Sequence, residues 1–231
     1  MRLLIALLLT LWLPLVAALD GLPVSPFEAR YRVYHQGTDL GSGLIALRDQ
    51  GGGRYEMVSE LDPEGIAAWL VEGIEERVSG EVRDGGLRPA VYRREDKDGL
   101  TEIRFDWQGN RVESLHEGER RTLQLEPGLV DRLSVYLQAM ADFKNDRLVQ
   151  NYTLTDKNRI RTYRIDIHGQ ETVDTPMGRY ETVHVSRHRD GSDNIIEFWF
   201  APALDFLPVQ IVHRDEDGEK ARMLLERLQR G

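Results

Sequence analysis

The chain has 231 residues, with 30 lysines and arginines against 39 aspartates and glutamates, a formal net charge of −9 and no cysteine. Such an acidic balance disfavours nucleic acid and anionic membrane surfaces as general partners and mainly favours solubility. Without cysteine there are no disulfides, thiol nucleophiles or thiolate metal sites, and a chain this long can build a core without such staples.

The first residues address the compartment. Met1 and Arg2 give a short cationic start, Leu3 to Val16 is nearly all apolar, and Val16-Ala17-Ala18 supplies the small residues a signal peptidase accepts. Cleavage is expected after Ala18, giving a periplasmic chain of residues 19–231, read as one β-rich domain and a monomer without a membrane span. The competing reading is a retained anchor, since Leu3 to Leu19 approaches the roughly 20 residues that cross a bilayer. No cysteine follows the apolar run, so a lipoprotein anchor is excluded.

Beyond the leader the dominant pattern has period two. Phe27, Ala29, Tyr31 and Val33 alternate with Glu28, Arg30 and Arg32, which predicts a strand with one wet face. The alternation returns at Ile103, Phe105 and Trp107, and at Tyr163, Ile165 and Ile167. Turn clusters separate such runs: "QGTDLG", "DQGGGR", "RDGG", "DKDG", "WQGN", "HEGE", "DTPMG", "RDGSD" and "DEDGE". Short strands joined this way predict a mainly β fold, a curved antiparallel sheet forming an open or partly closed barrel.

Two segments break the pattern. "DPEGIAAWLVEG", residues 62–73, puts Ile66, Trp69 and Leu70 on one side of a short helical turn between Gly65 and Gly73, too short to be stable undocked. Asp131 to Lys144 reads as the one central helix, with Asp131 as its cap and Leu133, Tyr136, Leu137 and Met140 at helical spacing. Near the C-terminus, "IIEFWFAPALDFLPVQIV" is too interrupted by Glu197, Asp205 and two prolines to span a membrane. Ile195 to Phe200 is apolar on both faces and predicts a strand covered by the core on one side and by a helix or loop on the other. "APALDFLP" is then a connection, and Pro208 opens the next strand at its edge.

"FEARYRVYHQGTDLGSG", "FDW" at Phe105 to Trp107, "DRLSVYLQ" at Asp131 to Gln138, "YRIDIHGQETVDTPMGRYETVHVSR" and "IEFWFAPALDFLPVQIVHRDEDGE" occur in this order. Together they make the chain resemble DUF3108, a family of exported bacterial proteins of unknown function, from Phe27 almost to the C-terminus. The resemblance implies a periplasmic β-rich domain and carries no catalytic residues. Its implied architecture is similar to the open barrels that shield lipoproteins or lipids in the periplasm, a likeness of fold only.

Candidate chemistry is sparse. His184 and His188 share a strand face but lie about 13 Å apart along it, too far for one metal ion, and His35, His116, His168 and His213 join no ligand motif. Ser42 in "GSG" lacks the spacing of a nucleophile elbow, and "QGGGR" lacks the lysine and helix of a phosphate loop. Carboxylate pairs such as Glu75-Glu76 and Asp215-Glu216-Asp217 sit in turn-like contexts and read as solvated. Asp131 and Arg132 read as a cap and a surface salt bridge. No catalytic residue, cofactor or metal is expected. The expectation is a non-enzymatic binding protein for an apolar ligand (a lipid or acyl chain) or an envelope-assembly partner, with Ile66, Trp69, Leu70 and Phe206 lining the opening. The alternative is an enzyme acting on a cell-envelope glycan or peptidoglycan through carboxylates borne on different strands, and a third reading is a filled barrel serving as a structural subunit.

Overall fold

The computed structural model describes residues 21–64, 73–96 and 99–231. The leader and the segment carrying Ile66, Trp69 and Leu70 lie outside the described residues.

Eight strands run outward from the start of the chain: β1 (Phe27–His35), β2 (Thr38–Gly51), β3 (Arg54–Pro63), β4 (Ile74–Arg83), β5 (Gly86–Asp96), β6 (Gly99–Asp106), β7 (Arg111–His116) and β8 (Glu119–Gln124). The short β9 (Val130–Asp131) and the helix α1 (Ser134–Lys144) follow. Six more strands return: β10 (Asn151–Asp156), β11 (Arg159–Thr175), β12 (Gly178–His188), β13 (Ile195–Ala201), β14 (Leu207–Asp215) and β15 (Gly218–Arg230). Among the described residues they form one fifteen-stranded sheet in the order β8 to β1, then β15 to β9. Each strand pairs antiparallel with its neighbour, except that β9 and β10, joined through α1, are parallel. The first and last strands pair, Phe27 opposite Arg230, so both sit at the middle of the sheet.

β8 and β9 are the two edges of the sheet, which does not close through strand pairing. Its ends meet through single bonds instead. Asn158 Nδ2 donates to the Glu119 carbonyl at 3.2 Å, and Ser114 Oγ to the Lys157 carbonyl at 3.4 Å. The result is the open, curled sheet that the alternation predicts.

All nine turn clusters fall between consecutive strands. Asp84 and Gly85 show why they work: both have positive φ (53° and 73°), the pairing that matches the twist of a two-residue hairpin. Gly41 has a different reason to be glycine. With φ at +133°, a Cβ there would lie 2.4 Å from the Asp62 carbonyl on β3.

The helix begins at Ser134, three residues later than the spacing predicts, because Asp131 still belongs to β9. Asp131 nevertheless ties the helix start, its Oδ1 accepting from the backbone N–H groups of Leu133 (2.9 Å) and Ser134 (2.8 Å). Rather than presenting one apolar face, α1 buries Val135, Leu137, Ala139, Met140 and Ala141 around most of its circumference, as a helix enclosed by sheet does. Leu133, Leu137 and Met140 are fully buried, and Tyr55 on β3 meets Ser134 hydroxyl to hydroxyl at 3.2 Å. The barrel is therefore filled by its own helix. A 3₁₀ turn at Pro202–Leu204 sits inside the connection read from "APALDFLP".

Candidate functional site

The interior changes character at the level where α1 begins. On β4 and β5 the inward positions run from buried Val78 and Tyr92 to Glu76 and Arg94, which pair across the strands. Arg94 pairs in turn with Thr101 on β6 and Thr101 with His116 on β7. A polar row thus crosses four strands of an otherwise apolar inner face. Glu76 Oε1 accepts from the Tyr92 hydroxyl at 2.6 Å and from Arg94 Nη1 at 2.9 Å. Thr101 Oγ1 lies 2.9 Å from His116 Nδ1.

Arg132 carries this row to the returning strands. It lies 3.6 Å from Glu76 and 3.3 Å from Asp156 on β10, which also accepts from the Tyr163 hydroxyl at 3.3 Å and faces Arg161 at 3.8 Å. A third of the Arg132 side chain remains in contact with solvent even though protein surrounds it, so these groups line a pit open at its mouth. Burial works against the charge on Arg132, but Glu76 and Asp156 outweigh it and raise its pKa above that of an ordinary arginine. Two readings from the sequence are corrected here. Arg132 is no surface salt bridge but the tie between the two halves of the sheet. Glu76 is not a solvated turn acid, because its place in register with Val78 turns it inward.

One wall of the pit belongs to Arg187. Val183, Val185 and Arg187 share one face of β12 and pair with Phe200, Phe198 and Ile196 on β13. Arg187 is therefore a cation at a core position, 8% exposed. Its guanidinium lies 4.9 Å from the Tyr163 ring, its Nε has no hydrogen-bond partner, and no carboxylate pairs with it among the described residues. Burial lowers its pKa, against a smaller opposing influence of Tyr136.

From Arg187 an apolar slot runs alongside α1, between Val135, Ala139 and Phe143 on the helix and Val185, Phe198 and Phe200 on the sheet. Its free volume is about 30 Å³, space for one or two water molecules. Phe143 also stacks on Phe206, ring centroids 5.8 Å apart, so Phe206 backs the slot from behind Phe143. That is the described member of the four residues expected at the opening. The other three lie outside the described residues.

Among the described residues, side chains of neighbouring strands, rather than a helix or loop, cover Trp199 on the outer face of β13. Trp199, 6% exposed, stacks on His184 at 4.2 Å, and the His168 ring meets His184 at a tilt, centroids 4.5 Å apart. Trp199 Nε1 donates to Glu171 at 2.8 Å, and the His184 nitrogens lie 2.9 and 3.3 Å from Glu171 and Glu197. The indole bond, followed by His184, holds the Glu171 carboxyl below its usual pKa. Among the described residues no group of histidine and carboxylate side chains is placed to hold a metal ion, and no helix is long and apolar enough to cross a membrane.

Fold and interior together define a barrel-like, helix-filled β-protein with a charged pit at one end of its core. The chain belongs to the family described as a protein of unknown function, DUF3108, whose model matches residues 30–226. Among solved structures it is similar to a beta-barrel-like protein of domain of unknown function DUF1849 from Brucella abortus, with 14% identity over 91% of this chain and 100% of that one and a TM-score of 0.60. That likeness is one of fold. Weaker likenesses are an exported protein with a YmcC-like fold from Bacteroides fragilis (10% identity, 93% and 100% covered, TM-score 0.33) and the MucA/MucB complex from Pseudomonas aeruginosa (15% identity, 90% and 52% covered, TM-score 0.35). No curated protein matches the chain.

Proposed function

We propose that this is an exported, non-enzymatic binding protein that holds an apolar ligand in the slot beside α1. The observation that carries the reading is the slot itself, walled by aliphatic and aromatic side chains with Arg147 and Arg187 among them, the mix of apolar walls and few polar groups that small-molecule sites use. The cationic and apolar leader at residues 1–18 supports export. Glu76 and Asp156 are each engaged by two arginines and a tyrosine hydroxyl, which describes a charge network better than a free acid and base awaiting a glycan. Leu148, 71% exposed in the connection that flanks the slot, also favours a second reading, in which an envelope protein inserts an apolar side chain at the same place.

The slot is narrow, and one of its walls, with Arg147 and Val149, belongs to the connection between α1 and β10 rather than to helix or sheet. Ligand uptake is expected to displace that wall. The methyl ester of cis-parinaric acid, a linear polyene whose fluorescence rises in apolar surroundings, serves as a slender neutral probe. Wild-type protein should enhance its emission saturably, and Ala139→Phe, which fills the slot, should weaken this at least fivefold. Equal enhancement by both proteins, with equal Tm, would place any apolar binding elsewhere.

A further inference from the structure

Arg187 is the inward arginine with no carboxylate in ion-pair contact among the described residues, Asp156 acting on it only from farther off. Arg94 has Glu76 and Asp96, Arg132 has Glu76 and Asp156, Arg161 faces Asp156, and Arg147 has Asp142 at 2.9 Å. Arg187 has only the face of Tyr163, and its Nε is sealed from solvent without an acceptor. A buried cation without a counter-charge is costly and rare. Buried donors without partners in a native fold call for an explanation, and an absent anion is one. The position sharpens the point, because Arg187 lines the apolar slot and is near enough to Arg132 and Asp156 of the pit to feel both charges.

We infer that the ligand is a single-chain anionic amphiphile, its head paired with Arg187 and its tail laid in the slot between α1 and β12–β13. This rests on the binding reading above and narrows it to a class. A carboxylate or a phosphate meets a guanidinium through paired N–H···O bonds. The tail must be slender, because the slot lined by Phe143, Phe198 and Phe200 has a free volume of only about 30 Å³. Bulky fused-ring ligands and glycans are not accommodated by those walls. Carboxylate and phosphate heads share this chemistry, and the experiment separates them.

The test is calorimetric titration of the purified protein with octanoate, octyl phosphate and 1-octanol, each below its critical micelle concentration. At least one of the two anions should bind wild-type protein tenfold or more tightly than 1-octanol, and the tighter of them names the head group. Arg187→Gln should weaken that anion at least tenfold and leave 1-octanol within twofold. If the anions and the alcohol bind wild-type protein equally, or if Arg187→Gln leaves the anion unchanged, the inference is overturned while the apolar-binding reading stands. If none of the three binds, both fall. Should Arg187→Gln not fold, judged by near-ultraviolet circular dichroism, the wild-type ratio decides together with Arg187→Lys, which must retain the preference for the anion.

Discussion

Replacing Arg187 by methionine should make the ligand-free protein more stable. Methionine reaches about as far as the arginine stem and is flexible enough to keep its contacts with Val185, Phe198 and the helix. What is lost is a guanidinium that is 8% exposed, unpaired by any carboxylate among the described residues, and left with an Nε that donates to nothing. A buried donor without a partner costs about 1–3 kcal/mol, and more when charged. Against this stands the contact with the Tyr163 ring at 4.9 Å, worth about 0.5–2 kcal/mol. Taking about 3 kcal/mol for the charged donor and about 1 kcal/mol for the ring contact, the balance favours methionine by about 2 kcal/mol, and for a chain of this size each kcal/mol moves Tm by about 2–4 °C. A rise of roughly 4–8 °C is expected in thermal unfolding, with a matching increase in urea midpoint at unchanged m-value. A fall of 2 °C or more would refute the reasoning, because it would mean that Arg187 is held by favourable interactions and is a structural residue.

Other outcomes follow from the packing and the backbone. Leu137 is fully buried where α1 fills the barrel, so Leu137→Ala should cost about 2–5 kcal/mol, read as a lower urea midpoint. Gly41→Ala should cost about 2–4 kcal/mol, from strained backbone plus a clash with the fixed Asp62 carbonyl. Gly37→Ala, whose Cβ would meet nothing within 4 Å, should cost only about 1 kcal/mol. His213 is half-buried beside Asn194 at 3.2 Å, and burial lowers its pKa despite Asp215, with Arg187, Arg132 and Lys220 adding to the effect. A depressed folded pKa means that the unfolded chain binds the proton more tightly. This contribution to stability is therefore present above about pH 6.5 and declines as the pH falls toward the folded value. His213→Gln should flatten the fall of Tm between pH 7.5 and 5, and parallel profiles for the two proteins would count against this role for His213.

The fold was largely legible because its signals are local. Phe27 to Val33 alternates and is buried on alternate residues, and each turn cluster carries its own backbone chemistry, as Asp84-Gly85 does. Arg187 was not read from the sequence, although parity marks it. In "VHVSRH" it occupies the same strand face as Val183 and Val185, so a charge stands where period two demands an apolar side chain. The polar row from Glu76 through Arg94 and Thr101 to His116 was not legible, because it exists only once four strands adopt one register. Beside Glu75, Glu76 looks like any pair of surface acids. Trp199 suggested a covering helix or loop for the same reason. Its actual cover, His184 and Glu171, comes from two other strands.

The central claim is that the slot beside α1 holds a ligand, and native mass spectrometry of protein purified gently from the cells that make it tests it most directly. The account predicts a protein carrying an excess mass that solvent extraction releases as a single-chain anionic amphiphile, and predicts that Ala139→Phe and Arg187→Gln purify without it. Wild-type protein that is repeatedly homogeneous at its polypeptide mass, and that takes up no amphiphile when one is added, would contradict it.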